Sequence, residues 1–185
     1  GGSIAAYVGA LGVSLGTMVA NLSASKKGWE ERWLEFSEWA EKGQQLRKEL
    51  IAMVDEDTRS FNKIMEAFQL PKDTPEEVTF RKNAIQQATR YAIEVPFKVM
   101  ELSLKAMEIT KAMAEKGNPN SASDAGVGAL CARTAVSGAY MNVKINCGSY
   151  TDKSFTEDVI RRGAAIEEQA LRLEKETIAS VLANI

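Results

Sequence analysis

Apolar positions recur at helical spacing along almost the whole chain, and no stretch shows the strict alternation of a strand or the turn chemistry of a hairpin. The most telling stretch is 46–68. At about 100° per residue, Leu46, Leu50, Met53, Val54, Phe61, Ile64 and Phe68 share one arc, and Asp57 lies in the middle of it. This stretch belongs to a longer helical pattern from Trp29 to about Leu70, with a weak point at Gly43. Upstream, residues 1–25 carry no charge and divide on a helical wheel into three arcs. One is bulky (Ile4, Val8, Leu11, Leu15, Leu22), one small (Ala5, Gly9, Gly12, Gly16, Ala20) and one polar (Tyr7, Ser14, Thr17, Asn21). A glycine in a helix interior costs up to about 1 kcal/mol, so three on one face predict close contact with a neighbouring helix or a ligand. We read a buried central helix here. No basic segment precedes the run and polar residues dilute it, which argues against a membrane span or signal peptide.

The punctuation between stretches is explicit. Lys26, Lys27 and Gly28 end the first helix, with cations at its negative pole and glycine as terminator. Leu70-Pro71 stops the second; Thr74 as N-cap, Pro75 at the first helical position and Glu77 start the third. That third pattern runs to about Lys116, with Ala84, Ala88, Tyr91, Val95, Val99, Leu102, Ala106, Ile109 and Met113 inside. Pro96 within it predicts a kink or two abutting helices. Gly117-Asn118-Pro119-Asn120 ends it, and Ser121 or Ser123 caps the next. From Ser121 to about Cys147 one stripe, Asp124, Gly128, Cys131, Ala135, Gly138 and Asn142, is small or polar, fit either for close packing or for the floor of a pocket. Asp124 and Asn142 stand about 27 Å apart on a straight helix, too far for one small ligand to reach both within a subunit. A last amphipathic helix, about Phe155 to Leu182, places Val159, Ile166, Ala170, Leu173 and Val181 inside. The pattern predicts an all-α fold, an up-and-down bundle of about five long helices forming one domain over 1–185.

Composition narrows the chemistry. With 185 residues, 45% of them hydrophobic, one domain can bury roughly 70% of its unfolded surface. A formal charge of -2 with interspersed signs argues against nucleic-acid binding, which needs a basic patch. The chain has no histidine, which excludes Ser-His-Asp and Cys-His catalysis and leaves Asp, Glu, Lys, Tyr or Cys for proton transfer. Cys131 and Cys147 are too few for a zinc site and read as a reduced, cytosolic pair. Because the first residue is Gly1 rather than Met, further N-terminal sequence is expected. Asp57 is the candidate group: a carboxylate turned toward an apolar arc must be hydrogen-bonded, paired, or raised in pKa, and the last is what an acid/base catalyst near neutral pH needs. A partner that merely fixes packing satisfies the same pattern. Asp55 and Arg59, on the opposite face, are expected to form an ordinary solvated ion pair.

Six segments occur in register: Gly1–Ala6 with Met18–Leu22; Val54-Asp55-Glu56-Asp57 with Phe61; Leu70-Pro71-Lys72; Glu94-Val95-Pro96; Gly117–Val127; and Asn142–Asn146. Together they resemble the cyclodeaminase domain of formiminotransferase-cyclodeaminase and its stand-alone relative, methenyltetrahydrofolate cyclohydrolase, over essentially the whole chain. The resemblance implies an all-α homodimer, cytoplasmic, acting on a one-carbon derivative of tetrahydrofolate as substrate with neither metal nor redox cofactor. It aligns Asp57 with the family's catalytic carboxylate, and Gly1, Gly2 and Ser3 with the tail of a Pro-Gly-Gly-Gly-Ser loop. The implied reaction is formiminotetrahydrofolate cyclodeamination; the competing one is methenyltetrahydrofolate hydrolysis, and a non-catalytic helical assembly module is a third reading. Gly2-Ser3 and the Asn120–Asp124 segment, including Ser123, each open a helix whose free N–H groups suit an anion or a polarised ligand. Asn118, Asp124, Asn142 and Asn146 suit a pterin edge, Lys26 or Lys27 the glutamate tail, and Asn21 adds a polar group on the first helix. Capping or surface solvation would explain each of these equally well.

Overall fold

A computed structural model describes residues 1–185. Five helices account for the chain: α1 Gly2–Ala24, α2 Trp33–Gln69, α3 Pro75–Lys116, α4 Ala122–Cys147 and α5 Lys153–Ala183. Single 3₁₀ turns, Glu30–Arg32 and Pro119–Ser121, lead into α2 and α4. Successive helices run antiparallel. Asp57 of α2 meets Ser3 while Leu50 lies at Gly9 and Gly43 at Thr17 of α1. Asn142 of α4 lies at Gly1 and Gly128 at Gly12, whereas α3 runs parallel to α1 with Ser103 at Gly9 and Thr110 at Gly16.

The core is centred on α3, whose Ile93, Val99, Met100, Leu102, Met107, Ile109 and Met113 are all but fully buried, each contributing roughly 1.5–3 kcal/mol of burial. Phe36, Leu50, Val13, Val19, Val136 and Val143 close around it. The start of α3 is a complete capping box: Glu77 N donates to Thr74 Oγ1 at 3.2 Å and Thr74 N to Glu77 Oε2 at 3.1 Å. Gly28, at φ 86°, turns the chain out of α1, and Trp29 then stacks on Phe36 with centroids 5.6 Å apart.

The small arcs of α1 and α4 face each other. A Cβ on Gly12 would stand 2.7 Å from the Gly128 carbonyl oxygen, and one on Gly128 2.8 Å from that of Gly12. The two backbones are therefore in contact, which offsets the entropic cost of the glycines. The stripe Gly128-Ala135-Gly138 packs rather than floors a pocket, until Asn142 at its end.

Several expectations change. Helix α1 is not buried all round: its small arc points in, while bulky Ile4, Leu11 and Leu22 stand exposed on the side away from α3. It is the one helix long and apolar enough to cross a membrane, and more than half of its most apolar stretch is buried against other helices. Helix α2 begins at Trp33, not Trp29, and passes Gly43 unbroken; Gly43 is buried where a Cβ would collide with Thr17 Oγ1. Arg59 pairs with Glu56, one turn away, rather than with Asp55. Helix α3 is continuous through Pro96, so two abutting helices are ruled out. Ser121 occupies the N-cap position of α4 but makes no side-chain cap; Asn118 Oδ1 instead accepts from Asn120 N at 3.2 Å.

Candidate active site

Helix α1 begins level with Asp57, so the last three turns of α2 have no α1 neighbour, and the apolar arc there opens into a cavity. Leu50 is fully buried, whereas Phe61 and Phe68 are exposed. Asp57 sits at this transition, half-buried. Its Oδ2 accepts two hydrogen bonds from one residue, Ser3 N at 2.8 Å and Ser3 Oγ at 2.7 Å. Of the alternatives open to a carboxylate on an apolar arc, hydrogen bonding to a helix N-terminus is the one adopted, and α1 directs its free N–H groups and positive pole at the anion. Oδ1 is left without a protein partner. Gly2 has no choice of side chain, because a Cβ there would fall on Asp57 Oδ1. Ser60, buried one turn on, donates its hydroxyl to the Asp57 carbonyl oxygen at 2.8 Å and steadies the backbone beneath it.

The cavity holds about 310 Å³ and is lined by Gly1, Gly2, Ser3, Asp57, Thr58, Ser60, Phe61, Ile64, Ala92, Asn142 and Asn146, a size suited to a small ligand. Asn142 Nδ2 donates to Gly138 O at 2.8 Å and Asn146 Nδ2 to Ala92 O at 2.7 Å. The Ala92 carbonyl is available because Pro96, four residues on, has no N–H to give it. Both amide oxygens remain free as acceptors.

The structure thus brings together Gly2, Ser3, Asp57, Asn142 and Asn146. It does not bring the other expected residues to them. Asn21 lies on α1 near its far end, its Nδ2 donating to Thr17 O at 3.0 Å. Lys26 stands over the Trp29 ring at 3.9 Å, and Lys27 is exposed. Asn118 lines a separate opening of about 390 Å³ with Trp29 and Arg32, its N–H donating to Ser23 Oγ at 2.8 Å. Asn120, Ser123 and Asp124 occupy that same end of the bundle, at or beyond the start of α4. For Asn118 the role seen is capping, and for Lys26 it is packing on an indole. Ser60, Thr58, Ile64 and Ala92 were not anticipated. Ser60 and Ile64 were accessible to the wheel, lying about one and two turns along α2 from Asp57, but Ala92 joins the candidate site only through Pro96 and Asn146.

Away from the cavity, burial pushes the Tyr140 phenol and the Cys147 thiol up from their ordinary values, and Tyr140 OH donates to Ile160 O at 2.9 Å between α4 and α5. Cys131 and Cys147 are both free thiols.

The fold and the site define a class: an all-helical protein holding a carboxylate against a helix N-terminus, beside a cavity of small-molecule size lined also by two asparagine amides. Residues 1–165 match the family described as formiminotransferase-cyclodeaminase, and the chain belongs to that family. It is 33% identical over 185 residues to the methenyltetrahydrofolate cyclohydrolase of Methylorubrum extorquens, covering 100% of this chain and 89% of that one. It is 38% identical over 170 residues to the formimidoyltransferase-cyclodeaminase of Gallus gallus, 92% of this chain but only 31% of the relative's length. The crystal structure of formiminotetrahydrofolate cyclodeaminase from Thermotoga maritima superposes with a TM-score of 0.86 at 25% identity, covering 98% of this chain and 87% of that one.

Proposed function

We propose that this chain is a folate one-carbon enzyme, a formiminotetrahydrofolate cyclodeaminase in which Asp57 moves the protons. The observation that carries the reading is the Asp57 carboxylate, held by two Ser3 donors on Oδ2 while Oδ1 stays unpartnered beside the cavity. In 5-formiminotetrahydrofolate, with the formimino group protonated as an amidinium, N10 attacks the formimino carbon, forming the N10–C bond as the C=N π bond breaks and leaves an amino group. The N10 proton passes to Asp57 and from Asp57 to the amino nitrogen of the tetrahedral adduct. The C–N bond then breaks, ammonia leaves, and 5,10-methenyltetrahydrofolate remains. One carboxyl serves as base and then acid, the route consumes no oxidant or reductant, and it requires no metal. Asn142 and Asn146 offer acceptors to the N–H edge of the pterin, and Phe61 and Ile64 an apolar surface to its ring.

The whole-length match to a methenyltetrahydrofolate cyclohydrolase favours a second reading, in which Asp57 accepts a proton from water as it adds to the methenyl carbon. Parallel assays separate the two. Ammonia release from formiminotetrahydrofolate with negligible hydrolysis of methenyltetrahydrofolate supports the first reading; the reverse result supports the second. In either case Asp57→Asn should lower kcat about 10²- to 10⁴-fold while calorimetric binding of 5-formyltetrahydrofolate persists; full turnover by a folded Asp57→Asn protein would remove the assignment.

The active form in this reading is a homodimer located in the cytoplasm. Exposed Ile4, Tyr7, Leu11, Met18 and Leu22 of α1 and Val127, Leu130, Met141 and Ile145 of α4 make one outward apolar face on the side opposite α3. Contiguous exposed apolar patches of this extent mark association surfaces.

A further inference from the structure

We propose that Pro96, a residue with no place in the cavity lining, is a positioning residue: it frees the Ala92 carbonyl to capture the Asn146 amide nitrogen and so presents the Asn146 oxygen to an N–H edge of the ligand. The inference rests on the folate reading for the identity of the ligand and on geometry for the anchor.

A proline inside a helix costs about 3 kcal/mol, because it removes one hydrogen bond and crowds the carbonyl four residues back. Pro96 is buried deep within a 42-residue helix, far from either end, where nothing in the fold requires a break. What it does create is one unpaired carbonyl, Ala92 O, at the cavity wall. Asn146 Nδ2 donates to that oxygen at 2.7 Å across the α3–α4 contact. A primary amide has two N–H donors and one acceptor; once one N–H is tied to Ala92 O the amide is held in one orientation, with its oxygen free of any protein donor. With an N–H at position 96, Ala92 O would be taken by its own helix and Asn146 could turn either way. Asn142 is committed in the same sense, its nitrogen donating to Gly138 O at 2.8 Å. The cavity that Asp57 lines therefore also carries two amides of fixed orientation whose oxygens have no protein donor. A reduced pterin presents donors along one edge, at N8, the 2-amino group and N3, and that edge is the one such a cavity selects.

The test compares Pro96→Ala, Asn146→Ala and the double variant, in full-length protein. Each is measured for KM and kcat, for 5-formyltetrahydrofolate affinity, for thermal midpoint, and for the solvent-exchange rate of the Asn146 side-chain NH2 by NMR. The expected result is a KM and Kd increase of about 3- to 10-fold in Pro96→Ala, the size of one neutral hydrogen bond. The thermal midpoint should be equal or higher, kcat little changed, and the double variant no weaker than Asn146→Ala alone. Asn146 NH2 exchange should be slow in the parent and fast in Pro96→Ala. Unchanged affinity in Pro96→Ala, strictly additive losses in the double variant, or equal exchange rates in parent and variant would each overturn the proposal. A parent that shows the slow exchange but binds no folate overturns the ligand assignment here together with the folate reading; a parent that binds folate with no change in Pro96→Ala overturns this inference alone.

Discussion

At the residue scale the site depends on one carboxylate and on what sits against it. Ser3 supplies Asp57 with a backbone and a side-chain donor, so Ser3→Ala should keep one bond and lose the other. A hydrogen bond to a charged group is worth about 1.5–3 kcal/mol, and kcat should fall about 10- to 100-fold, between the parent and Asp57→Asn. Gly2→Ala separates helix propensity from catalysis: alanine is the better helix former, yet its Cβ would displace Asp57 Oδ1. The expected outcome is a fold as stable as the parent by circular dichroism with turnover reduced to the Asp57→Asn level. Two buried groups remote from the site contribute to alkaline stability. Burial raises both Cys147 and Tyr140, so the unfolded chain ionises them first as pH rises. Their contribution is complete below the ordinary thiol range near 9 and is lost progressively above it. Urea midpoints should therefore fall from about pH 9 upward, and the part due to Cys147 should disappear in Cys147→Ala. That Asp57 would need a partner was legible from its azimuth alone, since a charge in the middle of an apolar arc has to be satisfied. The partner was not legible: Ser3 lies 54 residues away in sequence, and only the antiparallel register of α1 on α2 brings it there.

At the element scale the decisive contact is the crossing of α1 and α4. Gly12 and Gly128 touch backbone to backbone, so Gly12→Val would force the helices apart. Overpacking of this kind typically costs about 1–3 kcal/mol, and here the neighbour is backbone, which cannot rotate away. The variant should melt well below the parent. By contrast, Thr74→Ala removes a surface cap and should cost about 1 kcal/mol with turnover untouched. A Gly12→Val protein as stable as Thr74→Ala would show the crossing to be looser than its geometry. The five helices were readable because their periodicity runs far longer than any ambiguity at their ends; even the Thr74–Glu77 box was explicit in four residues. Which face of α1 turns inward was not. Ordinary patterning sends bulky residues inside, whereas here the small arc goes in, because close backbone approach to α4 fills the space that side chains would otherwise fill. Gly43 misled for the same reason: it reads as a helix breaker and serves as a contact with Thr17. Pro96 likewise reads as a break, and the helix passes through it because Asn146, from another helix, satisfies the carbonyl it orphans.

At the scale of the whole molecule the inverted packing of α1 leaves its bulky arc unmatched. That arc and the outer residues of α4 lie side by side in antiparallel order: Ile4 and Ile145 at one end, Val127 near the middle of α1 where Gly128 meets Gly12 and Leu15, and Leu22 beyond it. A 23-residue helix is about 34 Å long, and two helix widths across gives roughly 700 Å², close to the 800 Å² per partner of a standard interface. An apolar patch of this size suits two-fold pairing. Antiparallel pairing about the middle of the face would carry the Lys26 and Asn118–Asp124 end of one copy toward the Asp57 end of the other, which gives those distant polar residues a route to the same ligand. Leu11→Glu, at the centre of the face, buries a charge on association and should give a folded monomer by light scattering, its helicity intact. If the second copy completes the site, the monomer should lose affinity for 5-formyltetrahydrofolate by tenfold or more, about 1.4 kcal/mol. Mixing it with Asp57→Asn protein should then restore nothing, because the glutamate prevents pairing with either partner. A monomeric Leu11→Glu protein with parental affinity and kcat would instead show that Asp57, Ser3, Asn142 and Asn146 suffice within one chain.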